Sequence, residues 1–288
     1  MSNTLFPAAL AKELRKQIRT FRETWDSYHA PRVHPETPHA QRTAVNRLLA
    51  LAQFLSIPRE GKSPAARSLR RVRAWQKHIG PLRDLDVTRE WLAKCSKSLP
   101  RSHRAAARQL DRELLDERTA LIAAIRIDAR GHAGASARAA LITVERTIAS
   151  AIETHAHHST GALHKVRRRW KRRLRALITD HSDQSLHSFR VQNKALRFIV
   201  DLLADNGRHD LKAEAKLLDK LHDVLGNLSD LTVFRNTLRL RRARWSVEKP
   251  RLAASAAALE ISRKKLEAEQ FAIWFSLWPK LLETIHEK

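Results

Sequence analysis

Residues 186–203 read LHSFRVQNKALRFIVDLL, and the spacing within them decides the fold. Leu186, Phe189, Leu196, Ile199, Val200 and Leu203 recur at three- and four-residue intervals, which marks one apolar face of a helix. His187, Arg190, Lys194 and Arg197 fall at i, i+3, i+7 and i+10. At about 100° per residue they occupy an arc of roughly 80° beside the apolar stripe. The cationic row therefore borders the core instead of pointing straight away from it. Four stacked donors along about 15 Å of helix repel one another unless an anion lies along them. A linear phosphate chain suits such a row, because its charges recur along its length. Arg bridges two phosphate oxygens, Lys supplies a point charge, and His becomes a charged donor in that field.

The pattern occurs twice. His39-Ala40-Gln41-Arg42 precedes His187-Ser188-Phe189-Arg190 by 148 positions, and Leu48, Leu51, Ala52 and Leu55 precede Leu196, Ile199, Val200 and Leu203 by the same distance. Farther on, Gly80-Pro81-Leu82-Arg83-Asp84-Leu85-Asp86-Val87 matches Gly226-Asn227-Leu228-Ser229-Asp230-Leu231-Thr232-Val233 at an offset of 146. Two registered blocks at nearly one distance point to an internal duplication. The first copy is weaker: Asn46 and Leu49 stand where the second has Lys194 and Arg197, and Arg47 is a partial substitute.

Each half opens with a basic amphipathic helix. Leu14, Ile18 and Phe21 accompany Arg15, Arg19 and Arg22 in the first; Val166, Trp170 and Leu174 accompany Arg168, Arg172 and Arg175 in the second. Each arginine set follows i, i+4, i+7 and shares a helix face. In the third helices, Arg70, Arg73 and Lys77 have Lys212, Lys216 and Lys220 as rough counterparts. A solvated charged face is the ordinary reading of such rows, and a second wall of the anion site is the functional one.

Sparse Gly and Pro between long stretches of helix formers make the chain all-α. The spacing predicts helices near 6–27, 38–56, 64–79, 82–97, 102–128, 136–157, 160–179, 183–205, 209–225, 228–247 and 251–286. Helices this long with short connections pack as antiparallel bundles. The duplication divides the chain into halves 1–158 and 159–288.

Composition narrows the function. The 288 residues carry 55 Lys and Arg against 30 Asp and Glu, a formal net charge of +25, with 43% hydrophobic residues to build a core. Self-repulsion on that scale favours a polyanionic partner: nucleic acid, an anionic surface or a phosphate chain. Cys95 is the only cysteine, which excludes a disulfide framework or a multi-cysteine zinc site within one chain. With 7 Gly there is neither a Walker loop nor a G-x-G-x-x-G turn, and no apolar run nears the length of a bilayer span. The first residues lack the pattern of a signal peptide, so a reducing cytoplasm is the expected setting.

H-x-x-R-x-x-x-K-x-x-R on a helix, followed by G-x-x-x-D-L-x-V, with the core of both present twice, resembles the CHAD family (conserved histidine α-helical domain). The resemblance covers nearly the whole chain. The second copy carries it through His187, Arg190, Lys194, Arg197, Gly226 and Asp230, the first through His39, Arg42, Arg47, Gly80 and Asp84. It implies two four-helix bundles related by a pseudo-twofold axis around a basic central cavity. It also implies binding of inorganic polyphosphate and association with polyphosphate granules in the cytoplasm.

Other candidates have plainer readings. Asp84, Asp86 and Asp230 follow Gly-containing turns, where an Asp caps a helix or pairs with an Arg such as Arg83. For Asp84 and Asp230, with Gly80 and Gly226, a structural role is expected, including holding cationic side chains in place. His155, His157 and His158 read as a helix end and not as metal ligands, and no metal or cofactor is expected. Most of the seven Trp belong to the core instead of stacking on bases, and Cys95 fills space. No nucleophile–base–orienter trio stands out, so binding without catalysis is the leading expectation. A helical nucleic-acid-binding protein and a polyphosphate-processing enzyme are the rivals; the latter usually needs clustered carboxylates, and these are dispersed.

Overall fold

The computed structural model describes residues 5–155, 159–180 and 182–286, and over these the chain is helical, with no strand. Ten α-helices follow in order among the described residues: α1 (Leu5–Ser27), α2 (Glu36–Phe54), α3 (Pro64–His78), α4 (Gly80–Lys97), α5 (Arg104–Arg130), α6 (His132–His155), α7 (Ser159–Thr179), α8 (Asp183–Asp205), α9 (Lys212–Glu248) and α10 (Pro250–His286). Short 3-10 turns precede α5 and α9. Local chemistry sets several of these ends. Ser63 accepts from Ala66 N at 3.1 Å with Pro64 in the first turn, and Ser182 accepts from Ser185 N at 3.2 Å. Both are side-chain caps for backbone donors that lack a partner within the helix.

One boundary differs from expectation, and one proline explains it. Separate helices were predicted over 209–225 and 228–247, yet α9 runs unbroken through Gly226. In the first repeat the matching glycine, Gly80, separates α3 from α4. Pro81 follows Gly80, and a proline inside a helix removes a hydrogen bond and clashes with the preceding turn. Asn227 follows Gly226 and does neither; a lone helical glycine costs only about 1 kcal/mol.

The chain forms two compact units, and each draws on both sequence repeats. The first comprises the residues up to Gly80 and Ala124–His222; the second comprises Pro81–Ala123 and the residues from Asp223 on. The duplication at 158/159 and the division by compactness are thus different partitions of the chain.

In the first unit α1 packs on α2 and α6, α3 on α6, α7 on α8, and α2 on α8. The two histidine-bearing helices are therefore neighbours. Their stripes are buried as their spacing predicts: Leu48, Leu51 and Ala52 on α2, and Phe189, Leu196, Ile199 and Val200 on α8, are all at most 1% exposed. Each large side chain buried this fully contributes about 1.5–3 kcal/mol. Phe21 stacks on Trp25 at 5.9 Å and Trp25 meets Trp75 at 4.6 Å, joining α1 to α3. Trp170 of α7 lies 5.4 Å from Phe189 of α8. Its indole N–H donates to Asn193 Oδ1 at 3.0 Å, and Asn193 Nδ2 donates to the Leu218 carbonyl at 3.2 Å. One buried amide thus fixes the register of α7, α8 and the start of α9.

The second unit has its own core of Val87, Trp91, Cys95, Leu110, Leu114, Phe234, Leu238, Trp245 and Leu259. Within it Arg263, 2% exposed, is held by Glu260 and Glu267, and Asp86 by Arg118 at 2.6 Å. Of the two roles expected for the acidic residues, capping a helix or pairing with an arginine, Asp86 takes the second, with Arg118 in place of Arg83. Asp84 lies inside α4 and Asp230 inside α9, and Arg83 pairs with Glu90 at 2.9 Å. Once α9 runs on through Gly226, there is no helix start for Asp230 to cap.

Candidate polyanion-binding site

The site is assembled from side chains of the first unit. On α8, Arg190, Lys194 and Arg197 are half-buried along the edge of the apolar stripe, and His187 is open to solvent. Partial desolvation, followed by the charges of Arg190, Lys194, Arg73 and Arg42, holds the His187 imidazole below its usual range. Arg190 and Lys194 belong to α8, Arg42 to α2 and Arg73 to α3. Cations from both repeats thus act on one imidazole.

His222, at the start of α9, is the second focus. Its Nδ1 is buried without a hydrogen-bond partner, and its pKa is lowered to about 3. Burial is the main cause, followed by the charges of Lys194, Arg197, Arg190 and His39. Burial disfavours the His222 imidazolium most, and the surrounding cations add to that. Sequence analysis did not single it out. The available signal was its spacing: His222 stands four residues before Gly226, as Gln76 stands four before Gly80.

The first copy is neutral where the second is charged. Gln76 Nε2 donates to Asn46 Oδ1 at 2.8 Å and to the Arg42 carbonyl at 3.0 Å. Asn46 is thereby held by the protein itself. Leu49 is buried, so the i+10 position of the first row faces the core. The repeated glycine gives Arg42 room: a Cβ on Gly80 would stand 2.7 Å from Arg42 Nη1.

Two predicted ligands are engaged by protein groups. Arg197 Nη2 pairs with Asp219 at 2.6 Å and its Nε with Asp201 at 3.5 Å. Arg47 pairs with Glu13 at 3.3 Å and lies 5.4 Å over the Phe198 ring, linking α2 to α1 and α8. Desolvation raises the Asp201 carboxyl despite Arg197, with Asp219 and Asp205 adding to the rise. The row therefore ends against an acidic border.

The outer rows sit differently. Arg15, Arg19 and Arg22 are exposed on α1, and Arg22 pairs with Glu145 of α6 at 2.8 Å. Arg168, Arg172 and Arg175 are exposed and project from the side of α7 opposite its buried Val166, Trp170 and Leu174. Lys77 of α3 and Lys216 and Lys220 of α9 are exposed as well. On α7 it is Arg169, flanking the buried stripe, whose charge reaches inward; together with Arg73 it acts on Arg59 in the loop after α2. Neither Arg59 nor Arg169 was selected from the sequence. Arg169 was legible as a cation beside the apolar stripe, whereas Arg59 lies in a loop and has no helical spacing to reveal it.

The remaining candidates fall into place. Trp25, Trp75, Trp91, Trp170, Trp245 and Trp274 are buried and cannot stack on bases. Cys95 is fully buried, and burial pushes its thiol pKa up. His157 and His158 lie outside the described residues. Among the described residues no three His, Cys, Asp or Glu gather as a metal site, and no helix is long and apolar enough to cross a membrane.

Comparison with known proteins gives the family and the fold. The model of the CHAD domain family matches residues 12–239. A search of curated proteins finds no match. Among solved structures, the crystal structure of the CHAD domain from the plant Ricinus communis is similar over 99% of this chain and 92% of that chain, with a TM-score of 0.65 at 19% identity. At that identity the likeness concerns the fold.

Proposed function

The chain belongs to the CHAD family, and from that premise we propose that it binds inorganic polyphosphate without turning it over, through the cations gathered between α2, α3, α8 and the start of α9. The observation that carries the reading is the convergence of both repeats on His187 and His222. Arg42, Arg73 and His39 come from the first repeat, and Arg190, Lys194 and Arg197 from the second. Such a field is self-repulsive until an anion fills it. A thin chain with a charge on every unit fills it better than one compact anion. The family resemblance extends the proposal to two pseudo-symmetric four-helix bundles around a basic cavity and to association with polyphosphate granules.

The direct test is calorimetric titration of the wild type and of a His187→Ala, Arg190→Ala, Lys194→Ala triple variant with polyphosphate. The reading expects tight, salt-sensitive binding by the wild type, since neutralising each phosphate releases counterions. It expects a loss of at least roughly a hundredfold in the variant. Equal binding by both proteins contradicts it. Phosphate release in the presence of Mg²⁺ or Mn²⁺ would point to a processing enzyme instead.

A second reading has one observation in its favour. The exposed Arg168, Arg172 and Arg175 on the outer side of α7 form a basic face open to a broad polyanion such as duplex DNA. Against it stand the six buried tryptophans, which leave those rings unable to stack on single-stranded bases.

A further inference from the structure

The last helix carries two apolar faces, and only one of them is buried. On α10, Trp274, Leu277 and Leu281 are at most 8% exposed and turn inward. Beside them a second apolar stripe stays open. Ile261 is 71% exposed, Phe271 40% and Phe275 65%; Ala268 is exposed, and Trp278 and Leu282 are half-buried. Together with Lys264 these residues recur in strictly alternating steps of three and four over about 30 Å of helix. A mean period of 3.5 residues is the one by which a helix packs lengthwise on another helix. At its centre Phe271 and Phe275 stack with ring centroids 6.4 Å apart. Pro279 lies within α10 but outside this seam.

Charge narrows the choice of occupant. Residues 260–288 hold five Lys or Arg and five Glu, a net charge of zero in a chain of +25. All of the excess positive charge is therefore carried before residue 260. An anionic lipid surface or a nucleic acid finds no net attraction here, whereas two copies of this segment meet without net repulsion.

The seam is also complementary to itself in one orientation. Run antiparallel about a twofold axis level with Ile273, it sets Phe271 on the partner's Phe275, the small Ala268 on the partner's Trp278, and Lys264 on the partner's Leu282. The Lys264 stem covers that leucine while its ammonium reaches water. A parallel pair instead opposes Trp278 to Trp278, leaves a gap between two alanines at 268, and sets Lys264 against Lys264. We propose that the open face of α10 is a dimerisation surface, on which a second copy of this chain docks its own α10 antiparallel through residues 261–282. Each contact is then made twice, as an isologous interface requires. None of these residues belongs to the anion site, so the inference does not depend on the polyphosphate reading.

Sedimentation of the full chain at roughly 50 μM tests it. The wild type is dimeric and associates more tightly in about 0.5 M salt than in about 0.05 M. Screening relieves the repulsion between two basic bodies and leaves the apolar contact intact, the opposite of the salt dependence of polyanion binding. Phe275→Glu, at a position exposed enough to spare the fold, weakens association by at least roughly tenfold and leaves polyphosphate binding unchanged. Leu282→Lys weakens it by facing Lys264, and adding Lys264→Glu to the same chain restores it; in a parallel pair the two changes only add repulsion. Phe275→Glu keeps the test available if Leu282→Lys fails to fold. A wild type that stays monomeric at both salts, a Phe275→Glu protein that dimerises like the wild type, or a folded double variant that is not rescued overturns the proposal. A monomeric wild type that binds vesicles of phosphatidylserine and phosphatidylcholine only with Phe275 intact identifies lipid as the occupant instead.

Discussion

Gln76 Nε2 donates a 2.8 Å hydrogen bond to Asn46 Oδ1, and at the matching positions of the second repeat stand His222 and Lys194. The matching positions of the two repeats thus carry different chemistry. In the first copy the two side chains are neutral and hydrogen-bonded to each other. In the second they are basic residues, and the Lys194 charge adds to burial in holding the His222 imidazole neutral. The two halves of the basic surface therefore have different jobs: α2 supplies a frame with Arg42 at its edge, and α8 supplies the charge.

Unequal roles predict unequal losses. Arg190→Ala combined with Lys194→Ala weakens polyphosphate binding by about a hundredfold, since each removes a charge-assisted contact. Arg42→Ala with Asn46→Ala weakens it by roughly tenfold, because only one cation is lost. Titration of both double variants at one ionic strength checks this; equal losses contradict the asymmetry.

Protonation supplies a second prediction. His222 titrates at about 3 in the folded protein against its ordinary 6.5, so the unfolded chain takes up the proton first as pH falls. The folding contribution of His222 is thus intact above about pH 6.5 and erodes below it. His187, also lowered, acts in the same direction. Urea denaturation at pH 7.5 and 5.5 should show the wild type losing stability, and His222→Gln losing less. Bound polyphosphate offsets the cationic part of these shifts and not the part due to burial, so proton uptake on binding at pH 6 falls chiefly on the more exposed His187. Calorimetry in buffers of different ionisation enthalpy measures that uptake.

The spacing of residues 186–203 was sufficient to identify α8, its buried stripe and its cationic edge, because helix periodicity maps directly onto a face. The same logic located Arg42 and the repeated glycine. It could not show that Arg197 is taken up by Asp201 and Asp219, since Asp219 comes from another helix. Arg168, Arg172 and Arg175 share a face, but spacing alone does not say which flank of α7 looks toward α2 and α3; Arg169 does. The glycine that breaks the helix in one repeat and not in the other shows that punctuation depends on the next residue, Pro81 or Asn227.

Asn193 links three helices through two buried hydrogen bonds, to Trp170 and to the Leu218 carbonyl. Asn193→Ala leaves the Trp170 indole N–H buried and unpaired, removes the bond to the Leu218 carbonyl and opens a small cavity, at a cost of about 2–4 kcal/mol. Chemical denaturation followed by tryptophan fluorescence reads this directly. A loss below about 0.5 kcal/mol would mean that the amide does not set the register.

Gly80→Ala separates fold from function. The new Cβ meets only the far end of the Arg42 side chain, at 2.7 Å, and a flexible guanidinium moves aside cheaply. Stability should change by less than about 1 kcal/mol, because alanine is the better helix former. Polyphosphate affinity falls by about threefold as Arg42 is displaced. An affinity equal to wild type would remove Arg42 from the site.

The most direct measurement is a competition at physiological salt, with the protein loaded on labelled polyphosphate and challenged by duplex and single-stranded DNA at equal total phosphate. If cations from both repeats converge on a slender phosphate chain, polyphosphate is retained against at least a tenfold excess of either DNA. Displacement by equimolar DNA phosphate would show that net charge alone drives binding and that the convergence on His187 and His222 has no part in selecting the ligand.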